Sequence, residues 1–290
     1  MVKPVTQDAR GIIDAARMLA NVRFERVAPP PVLAGLLDRF WLVTWDRGDS
    51  APFDQSTLPH PVVNLVFQHG GGPAVDGCPG PGGTVYGVQR ARMVRRLAGS
   101  GRVVAAMFRP AGFRGLLDAP LQTITDRWVP AADVLGPDSA RVTEVLAGAT
   151  ADRAVPALAD LLERRAADRP LPAAAADLMA LTEQIAADPA LTRVEQLAAA
   201  AGVSVRQLQR AFAEHVGASP KWVIRRYRLL EAAEHARRDP RPDWAGVAGQ
   251  LGYSDQAHLV RDFTRLVGVP PARYARTIVA PPTDLPGLAG

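Results

Sequence analysis

Arg206, Gln207, Gln209 and Arg210 crowd into five consecutive positions, and Gln256, His258 and Arg261 crowd into six positions further along. Arginine pairs bidentately with guanine and glutamine with adenine in the DNA major groove, each pair discriminating by about 1–3 kcal/mol. On a helix Arg206 and Gln209, three apart, share a face, which suits groove reading. Arg210 and Arg261 occupy matching places and could instead hold phosphate. Plainer roles stand beside these. The two arginines could pair with Glu214 and Asp262, Gln209 and Gln256 could be simple polar surface, and His258, next to an inward Leu259, could cap or pack.

The elements that must position these side chains are written twice. Leu197-Ala198, Gly202-Val203-Ser204, Leu208, Arg210, Phe212, Gly217 and Pro220 align with Val247-Ala248, Gly252-Tyr253-Ser254, Leu259, Arg261, Phe263, Gly268 and Pro271. One extra residue stands between Ser254 and Leu259, and an internal repeat has to be explained before any single segment. In each copy a short helix ends at a glycine that accepts positive φ. A serine (Ser204, Ser254) then caps a second helix, with Leu208, Ala211 and Phe212 on its inner face in the first copy. Thr192 with Glu195 three residues on predicts a capping box at the first start. Pro220 opens a long helix that stops at Asp239-Pro240. The pattern predicts two helix-turn-helix units, 190–217 and 243–268, joined by a helix over 220–238. That rod spans roughly 28 Å at 1.5 Å per residue, short of the about 34 Å between successive major grooves. Bent DNA or incomplete docking of one unit would close the gap.

Charge agrees with this placement. The chain carries +5 overall, yet residues 1–189 hold 20 basic and 20 acidic side chains, whereas residues 190–276 hold 14 basic against 8 acidic. A basic module beside a neutral one is the electrostatic footprint of a polyanion binder with a separate partner domain.

These motifs resemble the DNA-binding domain of AraC/XylS-type transcription regulators: Leu197-Ala198, Gly202-Val203-Ser204, Leu208, Arg210 and Phe212, then Gly217 and Ser219-Pro220, then the second copy through Gly268, Pro271 and Tyr274. The likeness covers about residues 175–276. Pro270 stands where that family usually has serine, and Tyr253 and Leu259 where phenylalanine is common. By match to the family pattern, Arg206, Gln207, Gln209, Arg210, Gln256, His258 and Arg261 are the expected DNA-binding residues. The resemblance also implies double-stranded DNA as partner, with RNA polymerase, a second copy of the chain and a small-molecule effector as further partners. It further implies an amino-terminal cupin-like barrel. The stretch Met107–Phe113 with Leu116–Leu121 is similar to a subclass of these regulators without a well-defined ligand, which supports that barrel.

The fold class expected is α+β. A β-rich sensor domain with trailing helices (1–168) precedes an all-α double helix-turn-helix domain (172–276), with a break at Arg169-Pro170-Leu171-Pro172 and a disordered tail (280–290). Short β-branched and aromatic runs at 40–45, 61–67, 83–88 and 103–108, punctuated by Gly/Pro clusters, read as strands of a sandwich or small barrel. Helical spacing follows at 113–124, 139–147, 155–166 and 173–187. If the barrel takes a ligand, Trp41, Trp45, Phe67, Tyr86 and Arg109 are the expected lining, although inward aromatics are first of all core. Arg90, Arg92, Arg95 and Arg96 read as a solvated strand edge rather than an anion site.

Other chemistries find little support. Cys78, the one cysteine, has no nearby histidine or basic pair to activate it and points to a reducing cytoplasm rather than disulfides. The glycine clusters 70–72 and 80–83 lack the Lys-Ser/Thr of a phosphate loop. His60 and His69 flank a strand without a carboxylate partner, so neither a metal nor another cofactor is expected. No run of about 18 apolar residues predicts a membrane span, and residues 1–26 lack the apolar stretch of a signal peptide. The reading is a cytoplasmic, non-enzymatic, sequence-specific transcription regulator with an effector-sensing or dimerising first domain. The alternatives are a DNA-targeted enzyme and a protein-recruiting adaptor.

Overall fold

Alternation along the strands decides which side chains meet which layer. The computed structural model describes residues 12–71, 79–148 and 151–278. A short helix α1 (Ala15–Leu19) leads into β1 (Arg23–Val27), β2 (Leu37–Asp46), β3 (Phe53–Thr57), β4 (Asn64–Gly70), β5 (Gly82–Tyr86), β6 (Met93–Leu97), β7 (Ser100–Phe108) and β8 (Trp128–Pro130). Six of these form one sheet, ordered β1-β2-β7-β4-β5-β8, while β3 and β6 pair as a separate two-stranded sheet. All pairings are antiparallel, with Trp41 opposite Ala105 and Leu65 opposite Ala106.

On one face of the large sheet Phe40, Leu42, Leu65, Phe67, Val85, Val104, Ala106 and Phe108 join a core with the helices that follow. On the other face Trp45, Val66, Tyr86, Val103 and Ala105 pack with Phe53 and Leu97 of the small sheet and with Ile12, Met18 and Val22. The period of two, characteristic of strands, thus separates two apolar layers with a single sheet between them.

Downstream come α2 (Ala131–Leu135), α3 (Ser139–Gly148), α4 (Ala151–Asp168), α5 (Ala173–Ala187), α6 (Val194–Ala200), α7 (Val205–His215), α8 (Pro220–Arg238), α9 (Trp244–Gln250), α10 (Gln256–Val267) and α11 (Pro271–Ile278). The helix expected over 113–124 is instead two 3-10 turns, Arg114–Leu116 and Leu121–Ile124. Pro120 between them cannot continue a helix. Its apolar residues still face inward, since Phe113, Leu116, Leu121 and Ile124 are all buried.

The first core does not stop at the Pro170–Pro172 break. It runs on through Ala175, Leu178 and Leu181 of α5 to Leu197, Leu208, Phe212, Val216, Val223 and Ile224. The first helix-turn-helix unit therefore shares its interior with the β domain. The second unit has a core of its own, built from Leu229, Ala233, Trp244, Val247, Leu259, Phe263, Leu266 and Tyr274. Leu58, from the loop after β3, is inserted into it. The tail over 280–290 lies outside the described residues, as does Cys78.

Candidate nucleic-acid interface and effector cavity

The two units superimpose in their hydrogen bonding as well as their sequence. In the turns, the Val203 N–H donates to the Ala198 carbonyl at 3.1 Å and the Tyr253 N–H to that of Ala248 at 2.9 Å. Gly202 and Gly252 stand at φ +64° and +72°, the left-handed region that lets the chain reverse between the helices. Ser204 caps α7, its hydroxyl accepting from the Gln207 N–H at 3.3 Å. The Gln207 side chain returns the bond by accepting from the Ser204 N–H at 2.9 Å, closing a capping box.

At the second reader the cap differs from expectation. Asp255, not Ser254, closes α10, accepting from the His258 N–H at 2.7 Å. That bond, followed by the Ser254 hydroxyl, holds the Asp255 carboxyl below its ordinary range. The extra residue of the second copy therefore sits in the turn, and Asp255 is the counterpart of Ser204. Arg206, Gln209 and Arg210 then correspond to Ala257, Val260 and Arg261. The first start is displaced as well: α6 begins at Val194, and the Gln196 side chain, rather than Glu195, accepts from the Arg193 N–H at 3.0 Å.

Arg206, Gln207, Gln209 and Arg210 are all exposed on α7, as are Gln256 and Arg261 on α10. Glu214 and Asp262, the carboxylates that could have occupied Arg210 and Arg261, are engaged elsewhere. Glu214 pairs with Arg114 at 2.6 Å. Asp262 is buried and takes Arg225 from α8 and Arg265 at 3.4 Å. His258 is drawn into the same network. Its Nδ1 lies 3.2 Å from the Ser254 hydroxyl, its Nε2 3.8 Å from Asp262, and its ring meets Tyr253 edge-on at 5.1 Å.

Not every basic residue of this segment is presented outward. Arg226 is buried, stacks 4.8 Å over Trp222 and donates to the Arg90 carbonyl at 2.8 Å, and burial lowers its guanidinium to about 10. Arg228 is buried too and donates to the Asp188 carbonyl at 2.8 Å beyond the end of α5. These two brace the rod rather than face a polyanion.

Residues 197–277 match a family described as a helix-turn-helix domain. The carboxy-terminal domain is an AraC-type helix-turn-helix domain. Such a domain binds DNA in transcription regulation, and here it is the region of α6 to α11 that carries the excess positive charge. Residues 25–130 match a domain of unknown function (DUF6597). No curated protein matches the sequence. Among solved structures the chain is similar to ToxT from Vibrio cholerae O395, at 10% identity and a TM-score of 0.40 over 83% of this chain and 98% of that one. It is also similar to unsaturated fatty acid-bound wild-type ToxT from Vibrio cholerae strain SCE256, at 10% identity and 0.40 over 84% and 98%.

Ahead of the AraC-type domain, a cavity of about 210 Å³ lies between the large and small sheets. Trp41, Trp45 and Tyr86 line it, whereas Phe67 and Arg109 do not. Phe67 has the wrong parity: Val66 faces the cavity, and Phe67, one position on, points into the helix-side core. Arg109 follows the end of β7 at Phe108, where the chain turns away, and its guanidinium pairs with Glu183 of α5. Both indole N–H groups are spoken for, Trp41 donating to Asn64 Oδ1 and Trp45 to the Ala98 carbonyl, each at 3.2 Å. The rings therefore offer apolar surface. His60 also lines the cavity, and His69 is exposed on β4.

The arginine run 90–96 divides by parity. Arg96 faces out and pairs with Asp54 at 2.8 Å. Arg90 pairs with Asp126 at 2.6 Å. Arg92 reaches the Val267 carbonyl at 3.4 Å. Arg95 turns in with Met93 and Leu97 and lines the cavity. Sequence reasoning placed all four on a solvated edge. The alternation Met93, Arg95, Leu97 against Val94, Arg96 was the signal that could have separated them.

Proposed function

We propose that the protein is a sequence-specific transcription regulator that reads DNA chiefly through α7 and holds phosphates through α10, with the cavity of the first domain as a small-molecule effector site. What carries the reading is the ridge of Arg206, Gln209 and Arg210. These lie on one face of α7, exposed, and none has an ion pair or hydrogen bond among the described residues. A cation left unneutralised beside a glutamine, at the start of a capped helix, suits base edges in the major groove. Gln207, spent on the capping box, sets the angle of α7. His258 likewise fixes α10, leaving Gln256 and Arg261 as the outward polar groups of the second reader. Selection of bound duplexes from random DNA by the full chain tests the reading. A common motif is the expected result, with affinity that falls by about 0.9 in log K per log salt for each phosphate neutralised. Retention of random duplexes without enrichment would overturn it.

A further inference from the structure

We infer that the cavity between the sheets accepts a compact aromatic anion, with Arg95 as its anchor; this rests on the effector reading above. Among the described residues the lining holds Arg26, Arg39, Arg95 and His60 but no aspartate or glutamate. Arg26 lies 5.0 Å over Phe24, and Arg39 pairs with Asp38, which is outside the lining. The hydrogen-bond partners of Arg95 among the described residues are neutral, the Tyr86 hydroxyl at 2.8 Å and the Gln68 side-chain oxygen. A guanidinium inside an apolar chamber, oriented by two neutral acceptors and facing no carboxylate among the described residues, is preorganised for an anion and disfavours a cation.

Size and shape restrict the rest of the ligand. A cavity of about 210 Å³ has room for one or two rings. Trp41, Trp45 and Tyr86 supply flat apolar walls, with Met93 and Met107 as adaptable filling. Gly101 makes way for one wall: a Cβ there would stand 2.2 Å from the Trp45 ring.

The test uses the full chain with 2-naphthoate and its neutral isostere 2-naphthamide, followed by calorimetry and tryptophan quenching. A charge-assisted hydrogen bond is worth about 1.5–3 kcal/mol, so the acid should bind about 10- to 150-fold more tightly than the amide. Arg95→Gln should erase that preference and Arg95→Lys should retain part of it. Equal binding of acid and amide by the unaltered chain overturns the anion assignment while leaving an effector cavity in place. A preference that survives in Arg95→Gln overturns Arg95 as anchor. No binding of either compound overturns the effector reading itself.

A second observation, the displaced cap of α10, carries an independent inference about specificity. With Asp255 as the counterpart of Ser204, the second reader presents Ala257 and Val260 where the first presents Arg206 and Gln209. Ala257 is exposed and Val260 half-buried. Small apolar side chains at groove-reading positions discriminate through the thymine methyl group. We propose that the second reader selects thymine at Ala257, so that the bound site has one half read by hydrogen bonds and one by methyl contact. Replacing each thymine of a selected duplex by deoxyuridine tests this. One position, in the half away from the Arg206 contact, should lose about three- to fourfold in affinity, the worth of a single buried methyl-sized group. Ala257→Gly should lose that sensitivity while keeping the base preference of the first half. Uniform tolerance of deoxyuridine, or sensitivity unchanged by Ala257→Gly, would overturn it.

Discussion

At the scale of single residues, the proposed reader separates exposed groups offered to a duplex, such as Arg206, from groups such as Gln207 that hold the helix in place. Arg206→Ala should relax preference at one base pair by about 1–3 kcal/mol, read as the change in enrichment at that position after selection. Arg210→Ala should instead weaken every sequence alike and reduce the salt slope by about 1. If Arg206→Ala left each base preference intact, the assignment of Arg206 would be wrong. His215 behaves differently. It lies half-buried at the end of α7 beside the Glu214–Arg114 pair, and desolvation lowers its pKa, with Glu214 opposing and Arg114 reinforcing the shift. The native state thus favours neutral imidazole, and the unfolded chain binds the proton more readily. Stability linked to His215 is intact above its ordinary value of 6.5 and is lost as pH falls from there through the lowered native value. The thermal midpoint should drop on acidification below pH 6.5, and His215→Gln should flatten that drop. Equal profiles for the two proteins would remove His215 from the account.

At the scale of elements, the same turn carries two different constraints. Gly202 and Gly252 both adopt positive φ, but a Cβ on Gly202 meets open space, whereas one on Gly252 would stand 2.3 Å from Thr192 Cγ2. Gly202→Ala should cost about 1–2 kcal/mol, the penalty of the left-handed backbone alone, and Gly252→Ala distinctly more. Denaturant titration of the two variants checks this, and equal losses would show that the Thr192 contact yields. The turn itself was legible in the sequence because glycine, apolar spacing and serine caps are local signals. The extra residue of the second copy was visible too, but its place was not. Ser254 and Asp255 are both competent caps, and only the hydrogen bond from the His258 N–H decides between them. Among strands, the apolar runs of β2, β4, β5 and β7 were readable. By contrast β1, β3 and β6 mix charge into alternation, and β8 is three residues long. The cavity suffered from the same limit. Trp41, Trp45 and Tyr86 were found from residue type, but Phe67 and Arg95 required strand parity, which one misplaced residue inverts.

At the scale of the whole molecule, the first domain holds the two readers by different means. The first reader unit is fused to it through a common interior. The second is held by Leu58 in its core, by Arg92 on the Val267 carbonyl, and by Arg237 donating to the Ile12 carbonyl at 2.6 Å. Leu58 and Ile12 also line the cavity, so they touch both the cavity and the second unit. Leu58→Ala should cost about 2–5 kcal/mol, as for other buried leucines, and speed amide exchange in α9 to α11 ahead of α7. Even loss of protection across both units would contradict a separate second core. The shared interior of the first unit has a wider outcome. Leu197, Leu208 and Phe212 lose part of their cover when the chain is severed near Pro170, and a liberated carboxy-terminal fragment would present a sticky apolar flank to its neighbours. Swapping this reader onto a foreign sensor would meet the same obstacle, so the halves of the protein are bound to diverge together rather than trade places.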